Sequence, residues 1–432
     1  MILLYRLLFP FVFLIALPYY GLRMWKRGGY GKDFGHRFGG IDQLPAPKPG
    51  VKRIWIQAVS VGEIRAMQPI IEGLNQQPNV EIVLTTTTST GYVLAREHYR
   101  DQCLLTGIFP LDWFPFSSRS WRRIAPDMVI LMEADLWPEH LHQAKKRNVP
   151  VVLINARMSD RSYRRYQKLS SPAQWLLSHL DAVYAGSSQD ADRFAQLGVS
   201  ADRIETTGNV KFDVAVKPIL DDAQRKSLRT ELGFPEDALV LLGSSTWPGE
   251  EITLAQTLAE ARQSNPNTHL LIIPRHAERR KEIRRDLEQF DFRFAFRTEE
   301  KVDGLLDIYI GDTTGELAML SQVADVAFIG KSLPPHTEGQ TPIEAAALGI
   351  PIVYGPGMAN FRRVCQSLEA DSAAQRAADA SDAKAKLLKL LNEPEQRQAM
   401  HAAAQSWHTK NRGAAERVVA ALKARLAGLS LS

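Results

Sequence analysis

The sequence predicts an α/β protein with two parallel-sheet halves, and three observations carry that prediction. Short β-rich runs alternate with helical patterns from Arg53 onward, as in βα units around a parallel sheet. The runs fall into two series of similar length. Between them, residues 208–221 lack periodicity and contain Pro218, which marks a linker. A chain of 432 residues is long enough for two or three domains with real cores.

The first element is an apolar stretch, residues 1–22, with one charge, Arg6, and two prolines, Pro10 and Pro18. A spanning helix needs about 20 apolar residues. No small-residue cleavage site follows; the chain continues as Arg23-Met-Trp-Lys-Arg27, which stops transfer and favours the cytoplasmic side. An uncleaved anchor is expected, spanning or lying in the interface, with the rest of the chain cytoplasmic. Residues 23–50 form a basic juxtamembrane segment. Residues 1–40 hold six basic side chains against Asp33 alone, which equals the whole chain's net charge of +5. A nucleic-acid binder would spread its basic surface over a folded domain, so no nucleic-acid partner is expected.

The amino-terminal half, 51–207, has candidate strands at Arg53–Val59, Glu81–Thr85, Met128–Met132, Val151–Ile154 and Ala182–Ala185. The carboxyl-terminal half, 222–432, has them at Leu239–Gly243, His269–Ile273, Ile308–Ile310, Val326–Ile329 and Pro351–Val353, then closing helices after Phe361. Composition is ordinary for a globular chain, at 45% hydrophobic and 23% charged residues. The two cysteines, Cys103 and Cys365, allow no disulfide framework and no CxxC metal site, which reads as a reducing compartment.

In open α/β sheets ligands bind beyond the carboxyl ends of the strands, so the strand-to-helix junctions are the places to search. Ser60-Val-Gly62-Glu63 follows the first strand. It fits a capping box, with Glu63 reaching back to the N–H of Ser60; the same carboxylate at a cleft mouth suits a general base. Thr85–Thr88 offers hydroxyls at another helix start, for a sugar or as an ordinary cap. Glu133-Ala-Asp135 supplies a second carboxylate pair at this edge, with Glu133 the second acid candidate or a helix-start acid satisfying the dipole. Asn155-Ala-Arg157 to Arg161 adds two guanidinium groups, suited to carboxylate or phosphate or simply solvated.

The second half repeats the arrangement with anion-binding parts. Gly243-Ser244-Ser245-Thr246 to Glu250 opens a helix, with backbone N–H groups expected free for a phosphate. That loop lacks GK[ST] and so is not a Walker A loop, and the chain lacks a well-placed GxGxxG, which weakens ATPase and dinucleotide readings. Pro274-Arg275-His276-Ala-Glu278-Arg279 reads as a phosphate clamp or as a cap with solvated charges. Asp312-Thr-Thr-Gly-Glu316 and Thr341-Pro342-Ile-Glu344 each fit a capping box, and Glu344 also suits vicinal ribose hydroxyls. Gly330-Lys331-Ser332 and Gly339 supply an open loop before it. Six or more such clusters in two domains suggest one shared cleft.

Jointly, Ser60-Val-Gly-Glu63, Pro110-Leu-Asp112, Glu133 with Trp137-Pro138, Asn155-Ala-Arg157, Gly208-Asn-Val-Lys211-Phe-Asp213, Pro274-Arg-His276 and Asp312-Thr with Gly315-Glu-Leu317 resemble the 3-deoxy-D-manno-octulosonic acid (Kdo) transferases. The resemblance covers nearly the whole chain, the amino-terminal stretch included. It implies a GT-B glycosyltransferase with two Rossmann-like domains facing a cleft, moving Kdo from CMP-Kdo to the lipid A precursor with inversion and without metal or other cofactor. It further implies Glu63 as the general base and Glu133 in support. Ser60, Gly62, Thr88, Arg157 and Arg161 would line the acceptor side. Lys211, Ser244, Ser245, Arg275, His276, Lys331, Ser332, Thr341 and Glu344 would hold the nucleotide sugar. One departure concerns Glu338-Gly-Gln-Thr341-Pro, where Thr341 replaces an Asn usual in the family and offers no amide pair. The competing readings are another GT-B nucleotide-sugar enzyme, an epimerase or a transferase with a different donor, and a membrane-tethered binding protein without catalysis.

Overall fold

A computed structural model describes residues 1–26, 31–213, 219–299, 304–313 and 315–429, without the side chains of 19, 20, 22–26 and 32. Two compact units emerge, Met1–Val214 with Asn411–Ser432, and Ala215–Lys410. The expected linker at 208–221 includes 214–218, which lie outside the described residues.

The first unit is built on seven parallel strands: β1 (Lys52–Gln57), β2 (Val80–Thr86), β3 (Leu105–Ile108), β4 (Met128–Met132), β5 (Val151–Ala156), β6 (Ala182–Ala185) and β7 (Ile204–Thr206), in the order β3-β2-β1-β4-β5-β6-β7. Alternate residues feed opposite faces, as the two-residue period of a strand requires. Ile54, Ile56, Ile82, Leu84 and Ile130 join one core. Trp55, Val83, Val129 and Leu131 join the other. Strands β4 and β5 are buried throughout, which is why they read as continuous apolar runs.

The second unit repeats the plan with β8 (Leu239–Thr246), β9 (Thr268–Pro274), β10 (Phe294–Phe296), β11 (Ile308–Ile310), β12 (Val326–Ile329), β13 (Ile352–Tyr354) and β14 (Ala374–Arg376), ordered β10-β11-β9-β8-β12-β13-β14. In both sheets all carboxyl ends share one edge because every pairing is parallel. All ten expected strands are present within a few residues at their ends. The four that the sequence did not announce, β3, β7, β10 and β14, are the four sheet edges.

The expected carboxyl-terminal half, 222–432, needs one change, because 411–432 belong to the first unit. The helix Ala414–Leu429 buries Val418, Val419 and Leu422 in the core that also holds Ile70 and Leu74 of the helix Gln68–Asn75. Gly73 permits the approach: a Cβ there would lie 2.9 Å from Val419. The Asp213 carboxylate accepts the N–H groups of Gly413 and Ala415, a charged cap at the helix start.

Helix α1 (Ile2–Lys26) docks its first turns on the first unit. Tyr5 donates to Asp112 at 2.6 Å, and Arg6 grips the fully buried Glu139 carboxylate through two bonds of 2.7 and 2.9 Å. Trp113 donates to the Arg6 carbonyl and stacks near Phe9. On the other side Leu3, Leu7, Phe11 and Ile15 stand 63–82% exposed. Among the described residues no helix is long and apolar enough to cross a membrane, so the expected anchor is not shown; the side chains of 19, 20 and 22 lie outside those residues.

Candidate functional site

Four non-glycine residues at the carboxyl ends of strands have positive φ: Glu133 (61°) after β4, Asn155 (48°) in β5, Ser245 (55°) in β8 and Lys331 (58°) after β12. Such a backbone costs on the order of 1–3 kcal/mol per residue and persists where the surroundings enforce it, commonly at functional sites. These positions coincide with the junctions that the sequence singled out in each unit.

In the first unit, Ser60 caps the helix Val61–Ala66, its Oγ accepting weakly from the Glu63 N–H at 3.4 Å. The expected box is altered. Glu63 Oε2 accepts from the N–H of Val59 at 2.8 Å, one residue before the cap, and Oε1 accepts from the Ser60 hydroxyl at 2.7 Å. Only 5% of Glu63 is exposed. Burial raises its pKa, the Val59 N–H opposes that, and the negative charge of Glu133 raises it further while Ser60 and Lys211 lower it. Thr88 caps the next helix and donates to the Val59 carbonyl at 2.9 Å, which ties the ends of β1 and β2 together around Glu63.

Glu133 pairs with Lys211, and Arg157 lies 3.8 Å away. Buried Asn155 orients this group by accepting the Val210 N–H. Lys211, expected beside the donor phosphate, pairs instead with Glu133 in the first unit. Asp135 joins them: burial first, then the charges of Glu63 and Glu133, push its pKa up to about 7. Ser60, Gly62, Glu63, Thr88, Glu133 and Arg157 thus gather at one edge. Arg161 stands exposed on the helix Asp160–Lys168 with no bond to the group among the described residues.

In the second unit one of the N–H groups expected free, that of Trp247, is already taken, while the start of the helix Glu250–Ser264 carries no side-chain cap. Glu250, 1% exposed, accepts from Trp247 N–H at 2.9 Å, Lys331 N–H at 2.8 Å, Ser332 N–H at 2.8 Å and Leu333 N–H at 3.1 Å. A buried carboxylate fills the anion nest and locks the loops after β8 and β12 to each other. Burial raises its pKa and those four N–H groups oppose the rise. Gly330 is required where these loops meet, since a Cβ would lie 2.3 Å from the Ser245 carbonyl oxygen.

Polar groups collect around Trp247, with Glu338 3.6 Å from Lys331 and Glu278 3.3 Å from His276 at the more exposed side. The Lys331 ammonium lies 4.3 Å from the Trp247 ring centre, and His276 and His336 sit 5.0 and 5.3 Å away. The Trp247 Nε1 and Thr246 Oγ1 atoms are buried without a partner among the described residues. Ser244 and Ser245 border this cluster at the end of β8, and Arg275 is exposed after β9. Ser332 does not face a ligand: fully buried, its hydroxyl donates to Ile329 and accepts from Gly355 N–H. Arg279 is no clamp either, because Glu251 and Glu282 neutralise it.

The two expected boxes in this unit are not seen among the described residues. Asp312 accepts instead from Arg280 and Thr298, and Thr341 accepts the Ile343 N–H in front of the helix that carries Glu344. Among the described residues no group of three or more His, Cys, Asp or Glu could hold a metal ion. Sequence reasoning had no role for Glu250 and His336; the only signal for Glu250 was its place three residues after Trp247.

Comparisons with known proteins bear on the family and the fold. The family described as 3-Deoxy-D-manno-octulosonic-acid transferase (kdotransferase) matches residues 32–214. The 3-deoxy-D-manno-octulosonic acid transferase of Haemophilus influenzae is 32% identical over 415 residues, 95% of each chain. That of Bordetella pertussis is 33% identical over 420 residues, 94% of this chain and 96% of the relative. A solved UDP-GlcNAc 2-epimerase from Neisseria meningitidis superposes with a TM-score of 0.58 over 86% of this chain and 99% of its own, at 13% identity, which is a likeness of fold alone.

Proposed function

The chain belongs to the Kdo transferase family of glycosyltransferases, and from that premise we propose that it moves Kdo from CMP-Kdo to a hydroxyl of the lipid A precursor, with inversion and release of CMP. The observation that carries the mechanism is the Glu63 carboxylate, buried at the end of β1 with its pKa raised. A desolvated carboxylate held by one N–H and one hydroxyl is a better base than a solvated one, and it is fixed in orientation. Glu63 takes the acceptor hydroxyl's proton as that oxygen bonds to the Kdo anomeric carbon. The bond from that carbon to the phosphate oxygen breaks, and CMP leaves with the electron pair.

Glu133 and Lys211 act as a pair beside the base. The ammonium pairs with the Glu133 carboxylate, whose charge in turn raises the pKa of Glu63. In the second unit the Lys331–Trp247–His276 group, with Ser244, Ser245 and Arg275, supplies cationic and hydrogen-bonding contacts to the single phosphate, and Glu344 to the ribose. Thr341 braces the start of the Glu344 helix.

Helix α1 supports a reading of location. Tyr5 and Arg6 are committed to the first unit, while the stripe of Leu3, Leu7, Phe11 and Ile15 is open. This supports a helix lying in the interface of the inner membrane on its cytoplasmic side, where a lipid acceptor resides. The basic segment that follows would meet anionic lipid.

Supplying CMP-Kdo or UDP-sugars to the protein with lipid A precursor tests the reading. Transfer from CMP-Kdo alone is expected; transfer from a UDP-sugar alone contradicts it.

A further inference from the structure

Beyond the Trp247 cluster, the second unit has a pocket of about 630 Å3. Its walls are the segments after β12 and β13, with the helix Arg362–Ala370 and Arg376 behind them. The walls are pinned together by backbone bonds. Gly357 N–H donates to Ser332 at 2.9 Å, Ala359 N–H to Thr337 at 3.0 Å and Asn360 N–H to Glu338 at 2.9 Å. A Cβ on Gly357 would sit 2.3 Å from the His336 carbonyl oxygen, so only glycine allows this approach. The pocket is therefore preformed, and its volume falls in the range of about 300–1,000 Å3 typical of small-molecule sites.

Its charge is specific. Arg376 and Glu369 satisfy each other at 3.0 Å, with a further bond from Arg376 to the Pro356 carbonyl. Arg362 lines the same space, is exposed, and makes no hydrogen bond or ion pair among the described residues. One uncompensated guanidinium remains. His336 forms the side nearest Trp247; its Nε2 is buried without a partner among the described residues, and its ring lies 5.3 Å from the Trp247 ring. Through His336 the pocket continues the cationic group around Lys331.

We propose that this pocket receives the acid-sugar half of the donor, with the Arg362 guanidinium pairing the sugar carboxylate and His336 Nε2 meeting one of its hydroxyls. The proposal rests on the reading of CMP-Kdo as donor. A planar guanidinium matches a carboxylate bidentately, which a neutral hexose cannot reproduce, so this contact would select acid sugars. Phosphate and ribose would remain with the Lys331 and Glu344 groups.

Initial rates with CMP-Kdo and inhibition by CMP, measured on the full chain, test this. Arg362→Ala should raise KM for CMP-Kdo about tenfold, the worth of one partly exposed charge-assisted contact, with the inhibition constant of CMP held within about twofold. Arg362→Lys, which keeps the charge without the fork, should recover part of that loss. An unchanged KM, or a KM and CMP constant that rise together, overturns the assignment while leaving the donor reading intact. A wild-type protein inactive with CMP-Kdo defeats the donor reading itself, and the occupant of the pocket with it.

Discussion

Replacing Glu250 by glutamine keeps the side chain's size and converts one of its two acceptor oxygens to an amide donor. Oε1 accepts from Ser332 and Leu333, and Oε2 from Trp247 and Lys331, so either orientation of the amide sets an NH2 group against two N–H donors. Each lost bond to a carboxylate is worth about 1.5–3 kcal/mol, or roughly 3–6 kcal/mol for two. Local relaxation and water entry bring the expected loss to the low end, about 3 kcal/mol. Hydrogen exchange on the full chain reads this directly: the amides of Trp247 and residues 331–333 should exchange about a hundredfold faster, since about 1.4 kcal/mol is a factor of ten. KM for CMP-Kdo should rise with it, because Lys331 is carried by the loosened loop. Exchange and KM both at wild-type values would refute the idea that the filled nest organises the donor site.

Other perturbations follow from the same geometry. Glu133→Gln removes a negative charge that raises the pKa of both Glu63 and Asp135, so their pKa values fall. The acid limb of kcat/KM, where activity is lost as the base gains its proton, should then move to lower pH by about 0.5–1 unit; a limb moved upward contradicts the charge assignment. Asp213→Ala leaves the N–H groups of Gly413 and Ala415 without their cap and should destabilise the chain by about 1–2 kcal/mol in urea unfolding, with unchanged stability as the contrary result. Glutamate at Leu7, Phe11 and Ile15 together should abolish sedimentation with anionic vesicles, whereas retained binding would show that α1 is not the membrane contact.

The core of each sheet was legible because its central strands are buried on both faces and must be apolar at every position, as in Met128–Met132. The edge strands were not. Strand β7 is half-exposed at Ile204 and open at Glu205 and Thr206, so its sequence carries no apolar run to read. The helix Ala414–Leu429 has an evident apolar face, yet nothing local says which unit receives it; that is settled by Gly73 and Asp213, more than 190 positions earlier in the chain. Ser60, Glu63, Thr88, Glu133 and Arg157 were found because they sit at strand ends, where position alone is informative. The role of Glu250 was hidden because a glutamate in the first turn of a helix looks like a response to the helix dipole. Only the long-range approach of residues 331–333 turns it into a loop lock. The same limit explains Lys211, whose partner Glu133 lies 78 positions away, just after β4.

The most direct test of the account is the mass of the glycolipid formed from CMP-Kdo and tetra-acylated lipid A precursor by wild-type protein and by Glu63→Ala. The wild type should add Kdo to the precursor, while the variant still binds CMP and leaves the precursor mass unchanged. A Glu63→Ala protein that transfers Kdo at the wild-type rate would contradict the assignment of this carboxylate as the base.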